Sequence, residues 1–198
     1  NELTVLSEKS CEKLEKVLVM NLDCTALGML ISLHTGLRIG EVCALKWSDV
    51  DIERKILTVR QTVARVKANS NDNCKSKLIL DAPKTKNSLR EIPINSFLLP
   101  LLVKKKSESV SDFVISEQKT FVSPRTFEYR YHKTLERFDI EQVNYHSLRH
   151  TFATRCIERG VDCKSLSEIL GHANVNITLN TYVHSSMELK RIQIEKLI

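Results

Sequence analysis

Residues 145–155 read YHSLRHTFATR and bring two histidines and two arginines into a stretch whose composition favours a helix. His146 and Arg149 lie three residues apart, which places them on the same face of a helix. An imidazole and a guanidinium could therefore act on one small volume. Taken alone, the stretch is more typical of a solvated basic face, or of a helix start with a satisfied histidine. The remainder of the chain has to decide between these interpretations.

The composition indicates one globular domain with a basic surface. The chain has 198 residues, of which 42% are hydrophobic and 27% charged, and this length is enough to bury a core. Lys and Arg outnumber Asp and Glu by 30 to 24, which gives a formal net charge of +6 and hints at a polyanionic partner.

The six cysteines include no C-x-x-C pair, which favours free thiols in a reducing cytosol. No apolar run approaches the roughly 20 residues of a membrane-spanning helix, and no signal peptide is recognisable.

Apolar spacing and capping residues predict helices at both ends of the chain. The predicted helices cover 6–18, 24–36, 37–47, 122–138, 145–160 and 162–170. Ser7 and Ser123 are the expected N-caps, with Pro124 in the first turn of its helix. Gly36 and Gly171 are expected to end the helices that precede them.

The middle of the chain is predicted to form a small sheet. Residues 55–66, KILTVRQTVARV, alternate in polarity and are rich in β-branched side chains, which is typical of a strand. KLILDA (77–82) and LREIPI (89–94) are the second and third predicted strands. The basic turn 83–88 joins the last two, so we expect a three-stranded antiparallel meander. The predicted fold class is therefore α+β, mainly α-helical with one small antiparallel sheet.

Four sequence blocks contain residues suited to chemistry on a phosphate. LHTGLRIGEVCALKW (33–47) places Arg38 just after a glycine turn, and APKTKNSLREIPI (82–94) places Lys84 at a hairpin tip. The opening stretch follows, and EILGHANVNITLNTYVH (168–184) supplies His172 and, ten residues later, Tyr182. In this order, the blocks resemble the catalytic domain of the tyrosine recombinases, the integrases of phages and conjugative transposons. The resemblance covers nearly the whole chain.

The resemblance implies that Tyr182 is a nucleophile that attacks the scissile phosphate of DNA. The products would be a 3′-phosphotyrosyl link and a free 5′-hydroxyl, and attack by another 5′-hydroxyl would exchange strands. Arg38 and Arg149 would bind the two non-bridging oxygens, a task that suits the guanidinium fork. This chemistry implies neither a metal nor another cofactor.

The same resemblance assigns the proton transfers and the remaining phosphate contact. Lys84 would protonate the departing 5′-oxygen, and His146 would accept the proton of the tyrosine. His172 would donate a hydrogen bond to the phosphate. Lys86 competes with Lys84 for the role of the acid because both lie in the same turn.

Several other residues have supporting roles or an alternative interpretation. Glu41 is expected to orient Arg38, although the two could form a simple ion pair, and His150 is expected to pack beneath the site. His172 could be a plain helix C-cap. The residues expected to contact DNA are Lys86, Arg125, Arg130 and Lys133. Tyr129 and Tyr131 lie in the basic helix FEYRYHK, where stacking or phosphate contact is expected in place of catalysis, and Tyr145 lacks the family position after L-G-H.

Three competing functions are weighed against a recombinase. His146 and His150 are four residues apart, but Ser147 stands where a zinc-protease helix needs glutamate. The helices joined through Gly160 could form the helix-turn-helix of a non-catalytic regulator. A type IB topoisomerase uses the same chemistry to relax supercoils, but the compact length favours an integrase.

The resemblance also implies partners and a longer protein. We expect residues 1–198 to be one catalytic domain, a fragment without the core-binding and arm-binding domains of family integrases. The partner would be double-stranded DNA at attachment sites, in the bacterial cytoplasm at the nucleoid, with possible directionality or DNA-bending factors. The segment 172–184 is predicted to be loop-like, so that Tyr182 sits away from the cleft without DNA. The tail that follows has an apolar face. It would either dock on a neighbouring protomer, which suggests a tetramer on DNA, or fold back on its own chain.

Overall fold

Eight α-helices make up most of the chain described by the computed structural model, which covers residues 4–67, 76–81, 89–182, 191 and 194–195. The helices are α1 (Glu8–Met20), α2 (Cys24–Thr35), α3 (Ile39–Ala44), α4 (Leu98–Glu108), α5 (Pro124–Arg137), α6 (His146–Glu158), α7 (Cys163–Leu170) and α8 (Val175–Tyr182). A 3₁₀ turn covers Trp47–Asp49. The strands are β1 (Val50–Asp51), β2 (Ile56–Val59), β3 (Thr62–Lys67), β4 (Ser76–Asp81) and β5 (Arg90–Pro93). The predicted α+β class is confirmed.

The predicted helix ends follow from local hydrogen bonds. The hydroxyls of Ser7 and Ser123 accept from the backbone N–H three residues on, which is the usual N-cap geometry. Gly36 and Gly171 adopt the left-handed conformation, both with φ of 67°, and their N–H groups bond back to the preceding helix. These boundaries confirm the capping predictions.

The predicted three-stranded meander is wrong in its composition. The stretch 55–66 does not form one strand, because it divides into β2 and β3. β2 pairs antiparallel with β1 and β5 in a three-stranded sheet, whereas β3 pairs only with β4 in a separate two-stranded sheet. At the break, Arg60 turns outward to an ion pair with Asp49, with 3.2 Å between Nε and Oδ1. Alternation of polarity continues through such a break, so the pattern alone could not locate it.

Helix α2 forms the centre of the hydrophobic core. It is buried on every side, from Ala26 to Leu33, as a helix without a polar face must be. Helices α1, α3, α4, α5 and α6 pack around it. A second, smaller cluster joins Ala153 of α6, Leu166 and Leu170 of α7 and Tyr182 of α8. This second cluster fixes the end of α8 against the domain.

The expectation that 172–184 is loop-like is wrong for the residues from Val175 to Tyr182, which form α8. Asn, Thr and β-branched residues are weak helix formers, so local propensity favoured a loop. Thr178 and Tyr182 lie four residues apart, are both buried and therefore share one helix face. Packing of that face stabilises the helix. In the described residues, no helix is long and apolar enough to cross a membrane.

Candidate active site

One cleft gathers the predicted arginines and histidine from two distant parts of the sequence. Arg38, His146, Arg149 and His150 line this cleft, which has a volume of ≈ 670 Å³. The cleft lies where the turn between α2 and α3 meets the start of α6. Convergence of the two guanidinium groups with these imidazoles creates a place suited to an anion.

Arg149 is held beneath the cleft by the ends of two helices. Its side chain is buried, and its Nη1 and Nη2 each donate at 2.8 Å, to the carbonyls of Gly36 and Leu170 respectively. These carbonyls end α2 and α7, where the helix dipole is negative. Burial and the neighbouring Arg38 lower the pKa of the Arg149 guanidinium. An anion in the cleft would stabilise the charged guanidinium and so raise this pKa again.

Arg38 begins α3 and extends into the cleft. Its backbone N–H donates to Oε2 of Glu41 at 2.9 Å, and its Nη1 donates to Oε1 of the same carboxylate at 3.1 Å. The side chain is 40% exposed, whereas that of Glu41 is 6% exposed. Glu41 therefore fixes both the backbone and the side chain of Arg38, in the orienting position that the sequence suggested.

Arg90, a residue that the sequence analysis did not select, completes this network. Its side chain is 5% exposed, and it donates through Nη1 and Nη2 to the two oxygens of Glu41 at 3.0 and 2.9 Å. Its Nε donates to the carbonyl of Ile169 at 2.6 Å. The signal in the sequence was an arginine two residues before Ile92 in a strand, which puts both side chains on one face.

Three imidazoles surround these arginines and are held neutral at pH 7. Burial first, and then the nearby Arg149 and Arg38, lower the pKa of His146 and lower that of His172 to about 4. Burial and His146 lower the pKa of His150 to about 4. The rings of His146 and His150 meet edge to face, with 4.5 Å between centroids. Neutral imidazoles can accept a proton or donate a hydrogen bond.

The hydroxyl of Tyr182 lies 2.8 Å from Nδ1 of His150. Tyr182 is only 7% exposed, and burial raises the pKa of its hydroxyl while Arg149 and Arg38 counteract that rise. The expectation that Tyr182 sits away from the cleft is therefore wrong, because it contacts a residue that lines it. His150 does not merely pack beneath the site, since its ring touches the candidate nucleophile.

His172 is positioned by α8. Its Nδ1 lies 2.8 Å from Oγ1 of Thr178, a side chain that is completely buried. This hydrogen bond orients the imidazole just after Gly171, the left-handed residue that ends α7. His172 is thus more than a helix cap, because its ring is tied to the helix that carries Tyr182.

A sequence model of the phage integrase family matches residues 5–188. The chain belongs to the phage integrase family. The tyrosine recombinase XerC-like protein of Caldanaerobacter subterraneus subsp. tengcongensis is 34% identical over 213 residues, covering 99% of the chain and 54% of that protein. The transposase from transposon Tn916 of Enterococcus faecalis is 30% identical over 223 residues, with coverage of 98% and 52%. The chain spans about half the length of these relatives.

Solved structures of integrases share the fold. The Tn1549 transposon integrase, solved in complex with transposon right end DNA, has a TM-score of 0.81 at 23% identity and covers 100% of this chain and 67% of that one. The XerA recombinase has a TM-score of 0.71 at 23% identity, with coverage of 98% and 62%. The integrase-family chain therefore has the recombinase catalytic fold.

Three of the other residues selected from the sequence of this integrase-family member can be placed relative to the cleft. Lys84 and Lys86 are outside the described residues. Arg125 lines a depression beside Ile39, which also lines the cleft. Arg130 and Lys133 line a separate groove between α1 and α5, and Lys133 pairs with Glu136 at 2.7 Å. The structure therefore brings Arg125, but neither Arg130 nor Lys133, to the side of the cleft.

The contacts of Tyr182 separate it from the other tyrosines. Tyr131 and Tyr145 lie in the main core at 0% and 3% exposure, and the Tyr145 hydroxyl is 2.6 Å from that of Ser32. Tyr129 is 64% exposed and lines the groove of Arg130. Tyr182 alone combines a contact to a cleft imidazole with proximity to Arg149, among the tyrosines of the chain.

The charges and donors of the described residues suit a phosphodiester better than a metal. Arg38, Arg90 and Arg149 bring three positive charges, and Glu41 brings one negative charge. Within the part of the chain that the structure describes, no group of three or more His, Cys, Asp or Glu side chains could hold a metal ion. The arrangement can neutralise an anion and can accept a proton from a tyrosine.

Proposed function

We propose that the chain is the catalytic domain of a site-specific DNA recombinase, an integrase that inserts or excises a mobile element or prophage. The observation that carries the proposal is the Tyr182 hydroxyl, held on His150 at the edge of a cleft lined by Arg38 and Arg149. Membership of the phage integrase family supports it. So do the relatives named as a tyrosine recombinase and a transposase.

The reaction would begin with attack of the Tyr182 oxygen on the scissile phosphorus. A bond forms between the tyrosine oxygen and phosphorus, the bond to the 5′-oxygen breaks, and the protein is left on the 3′-phosphate. Arg38 and Arg149 would neutralise the charge that grows on the non-bridging oxygens, which is the main requirement of such a transition state. His172 would donate to one of these oxygens.

Two protons have to move. The tyrosine proton would pass to an imidazole, for which the sequence analysis selected His146 and the hydrogen bond at 2.8 Å favours His150. The 5′-oxygen would take a proton from Lys84, or from Lys86 if that residue is the acid. In the second half of the reaction another 5′-hydroxyl attacks the phosphotyrosine, and the protons return.

The test is capture of the covalent intermediate. The substrate is a nicked duplex with the sequence of the junctions that flank the gene. After cleavage the short fragment that carries the new 5′-hydroxyl would diffuse away, and the full-length protein would be trapped on the 3′-phosphate. Tyr182→Phe should form no adduct while its DNA affinity is unchanged, because only one hydroxyl is removed. Tyr129→Phe, a change on the exposed groove, should form adduct at the normal rate. An adduct in Tyr182→Phe would overturn the assignment.

Adduct capture, together with assays of plasmid relaxation and of strand joining between two sites, distinguishes the alternative functions. A helix-turn-helix regulator would bind the duplex and form no adduct. A type IB topoisomerase would form the adduct and relax supercoiled plasmid, without joining strands from two sites. An integrase would join them.

The partners belong to the same proposal. The DNA would be double-stranded attachment sites in a bacterial nucleoid, and Arg125, Lys86, Arg130 and Lys133 would contact its phosphates. Since the chain spans about half of its relatives, further domains would complete the grip on DNA. A tetramer linked by the C-terminal tail, with accessory bending or directionality factors, would carry out the exchange.

A further inference from the structure

A buried ion pair lies directly behind the cleft. Glu41 and Arg90 are 6% and 5% exposed at their side chains, and neither lines the cleft itself. The pair is bidentate, because Nη1 and Nη2 of Arg90 donate to the two oxygens of Glu41 at 3.0 and 2.9 Å. Such paired donation is the strongest form of an arginine–carboxylate contact.

Arg38 competes for the same carboxylate. It shares Oε1 of Glu41 with Arg90, at 3.1 Å. In the part of the chain that the structure describes, both side-chain hydrogen bonds of Arg38 use Nη1, the second being a long contact of 3.5 Å to the carbonyl of Leu170. The Arg38 guanidinium is therefore attached to Glu41 through one of its nitrogens only, and the side chain is 40% exposed.

The charge balance shows why it matters that Arg90, and not Arg38, holds both oxygens of Glu41. Glu41 offsets one of the three charges of Arg38, Arg90 and Arg149, so the cluster keeps a net charge of +2. A phosphodiester carries one negative charge and its five-coordinate transition state carries two. Without Arg90 the cluster would fall to +1, and Glu41 would be free to take Arg38 in a bidentate pair.

We propose that Arg90 is a positioning residue: by occupying both oxygens of Glu41, it keeps the Arg38 guanidinium available to the phosphate. The inference rests on the proposed function, since it concerns phosphate cleavage. Arg90 also donates to the carbonyl of Ile169 at 2.6 Å, next to the Leu170 carbonyl that binds Arg149. It thus sets the position of both phosphate-binding arginines without touching the DNA.

The experiment compares charged and neutral scissile groups at saturating DNA, in single-turnover cleavage by the full-length protein. Arg90→Met should slow cleavage of the ordinary phosphodiester by about 10²-fold, the typical effect of losing one electrostatic stabiliser. On a neutral methylphosphonate at the same position its defect should be less than about tenfold, because the scissile group and its transition state each carry one negative charge fewer and depend less on the Arg38 guanidinium. Glu41→Gln/Arg90→Met should recover at least about tenfold on the phosphodiester.

A purely structural role of Arg90 and a failure of the proposed function predict different results. Equal losses by Arg90→Met on both scissile groups, or no recovery in the double variant, would show that Arg90 only stabilises the fold, and would overturn the proposal. Absence of a Tyr182 adduct in the unsubstituted protein would instead reject the proposed function. All rates are taken at a temperature where circular dichroism shows each variant folded. If Arg90→Met is not folded there, Arg90→Lys takes its place, because it keeps the charge but lacks the bidentate fork.

A matched control is available on the far side of α6. Arg155 donates to Glu15 at 2.7 Å, and the two side chains are 25% and 17% exposed. Arg155→Met breaks a partly buried arginine–glutamate pair that lines no part of the cleft. It should lower the melting temperature while the ratio of the two cleavage rates stays at that of the unsubstituted protein.

Discussion

Among the contacts of the site, the hydrogen bond between Tyr182 and His150 bears most directly on proton transfer. The imidazole is neutral at pH 7, because burial lowers its pKa to about 4, so Nδ1 can accept from the hydroxyl at 2.8 Å. His146 touches this ring edge to face, yet it makes no hydrogen bond to Tyr182 among the described residues. The geometry thus favours His150 as the residue that receives the proton.

This preference predicts different effects for the two histidines. His150→Ala should reduce the single-turnover cleavage rate by about 10²–10⁴-fold, the usual effect of losing a general base. His146→Ala should cause a smaller loss. Rapid-quench cleavage of the nicked duplex at pH 7 measures both. A larger loss in His146→Ala would return the role of proton acceptor to His146, as the sequence resemblance suggested.

The general acid can be tested although Lys84 and Lys86 lie outside the described residues. A 5′-oxygen leaves poorly without a proton, whereas a bridging 5′-sulfur leaves readily as a thiolate. Lys84→Ala should therefore cleave ordinary DNA about 10²–10⁴-fold more slowly and recover most of its rate on a 5′-phosphorothiolate. Arg149→Ala should show no such recovery, because charge on the non-bridging oxygens is still uncompensated. Recovery in Lys86→Ala instead would move the acid two residues along the chain.

At the residue scale, the sequence predicted the members of the site better than their contacts. Motif order selected Arg38, His146, Arg149 and Tyr182, and the structure brings these residues together. Motif order did not select Arg90, because an arginine in a strand is usually exposed and only its pairing with buried Glu41 shows otherwise. Nor could it reveal that Tyr182 contacts His150, since the two are separated by 32 residues.

At the scale of elements, the turn between α2 and α3 links packing to chemistry. Gly36 has a φ of 67°, and a Cβ there would lie 2.6 Å from Cδ1 of Phe152 and 2.7 Å from Cδ2 of Leu170. Its carbonyl accepts from Arg149 at 2.8 Å. A side chain at this position would have to displace Phe152, Leu170 or the Gly36 carbonyl that accepts from Arg149.

Two glycine substitutions separate backbone strain from this contact. Gly160 also has a positive φ, 81°, but a Cβ there would have nothing within 4 Å. Each change to alanine should reduce the free energy of unfolding by about 1–2 kcal/mol for the left-handed conformation. Gly36→Ala should lose about 1–3 kcal/mol more from overpacking, and only it should slow cleavage. Urea unfolding and single-turnover rates measure both effects. Equal losses in the two variants would mean that Phe152 and Leu170 yield freely.

The elements themselves were predictable where capping chemistry marks them. Ser7, Ser123, Gly36 and Gly171 gave correct boundaries because cap hydrogen bonds are local. The division of 55–66 between two sheets, and the helix α8, depend on tertiary partners instead. The β3 strand leaves the first sheet to pack on α3, where Gly40 lets the backbones approach: a Cβ would lie 2.5 Å from Oγ1 of Thr62.

At the scale of the whole molecule, the site exists only in the folded domain. Its charged groups come from α3, β5 and α6, and their partners are carbonyls at the ends of α2 and α7. The fold therefore holds like-charged arginines close together and keeps the imidazoles unprotonated, and both effects cost free energy. Stability of the domain should depend on pH as a consequence.

The direction of that dependence follows from the histidines. The pKa values of His150 and His172 fall from the ordinary 6.5 to about 4 on folding, chiefly through burial. The charges of His146 and Arg149 add to this effect at both residues, and those of Arg38 and Arg90 add to it at His172. Between pH 6.5 and 4 the unfolded chain binds protons that the folded chain excludes. Stability is therefore complete above about pH 7 and falls as the pH is lowered through this interval.

Urea unfolding at pH 7, 6 and 5 should show this loss. His150 and His172 together contribute a difference in bound protons that approaches about two near pH 5, and the lowered pKa of His146 adds to it. Carboxylates such as Glu15, whose pKa is lowered to about 2 by its hydrogen bonds to His34 and Arg155 in spite of burial, begin to add their own loss near pH 5. The step from pH 7 to 6 therefore isolates the imidazoles. His172→Asn keeps a polar partner for Thr178 but cannot titrate, so it should reduce the difference by about one proton. Stability that is constant or rises between pH 7 and 5 would show that these imidazoles are already protonated in the folded chain.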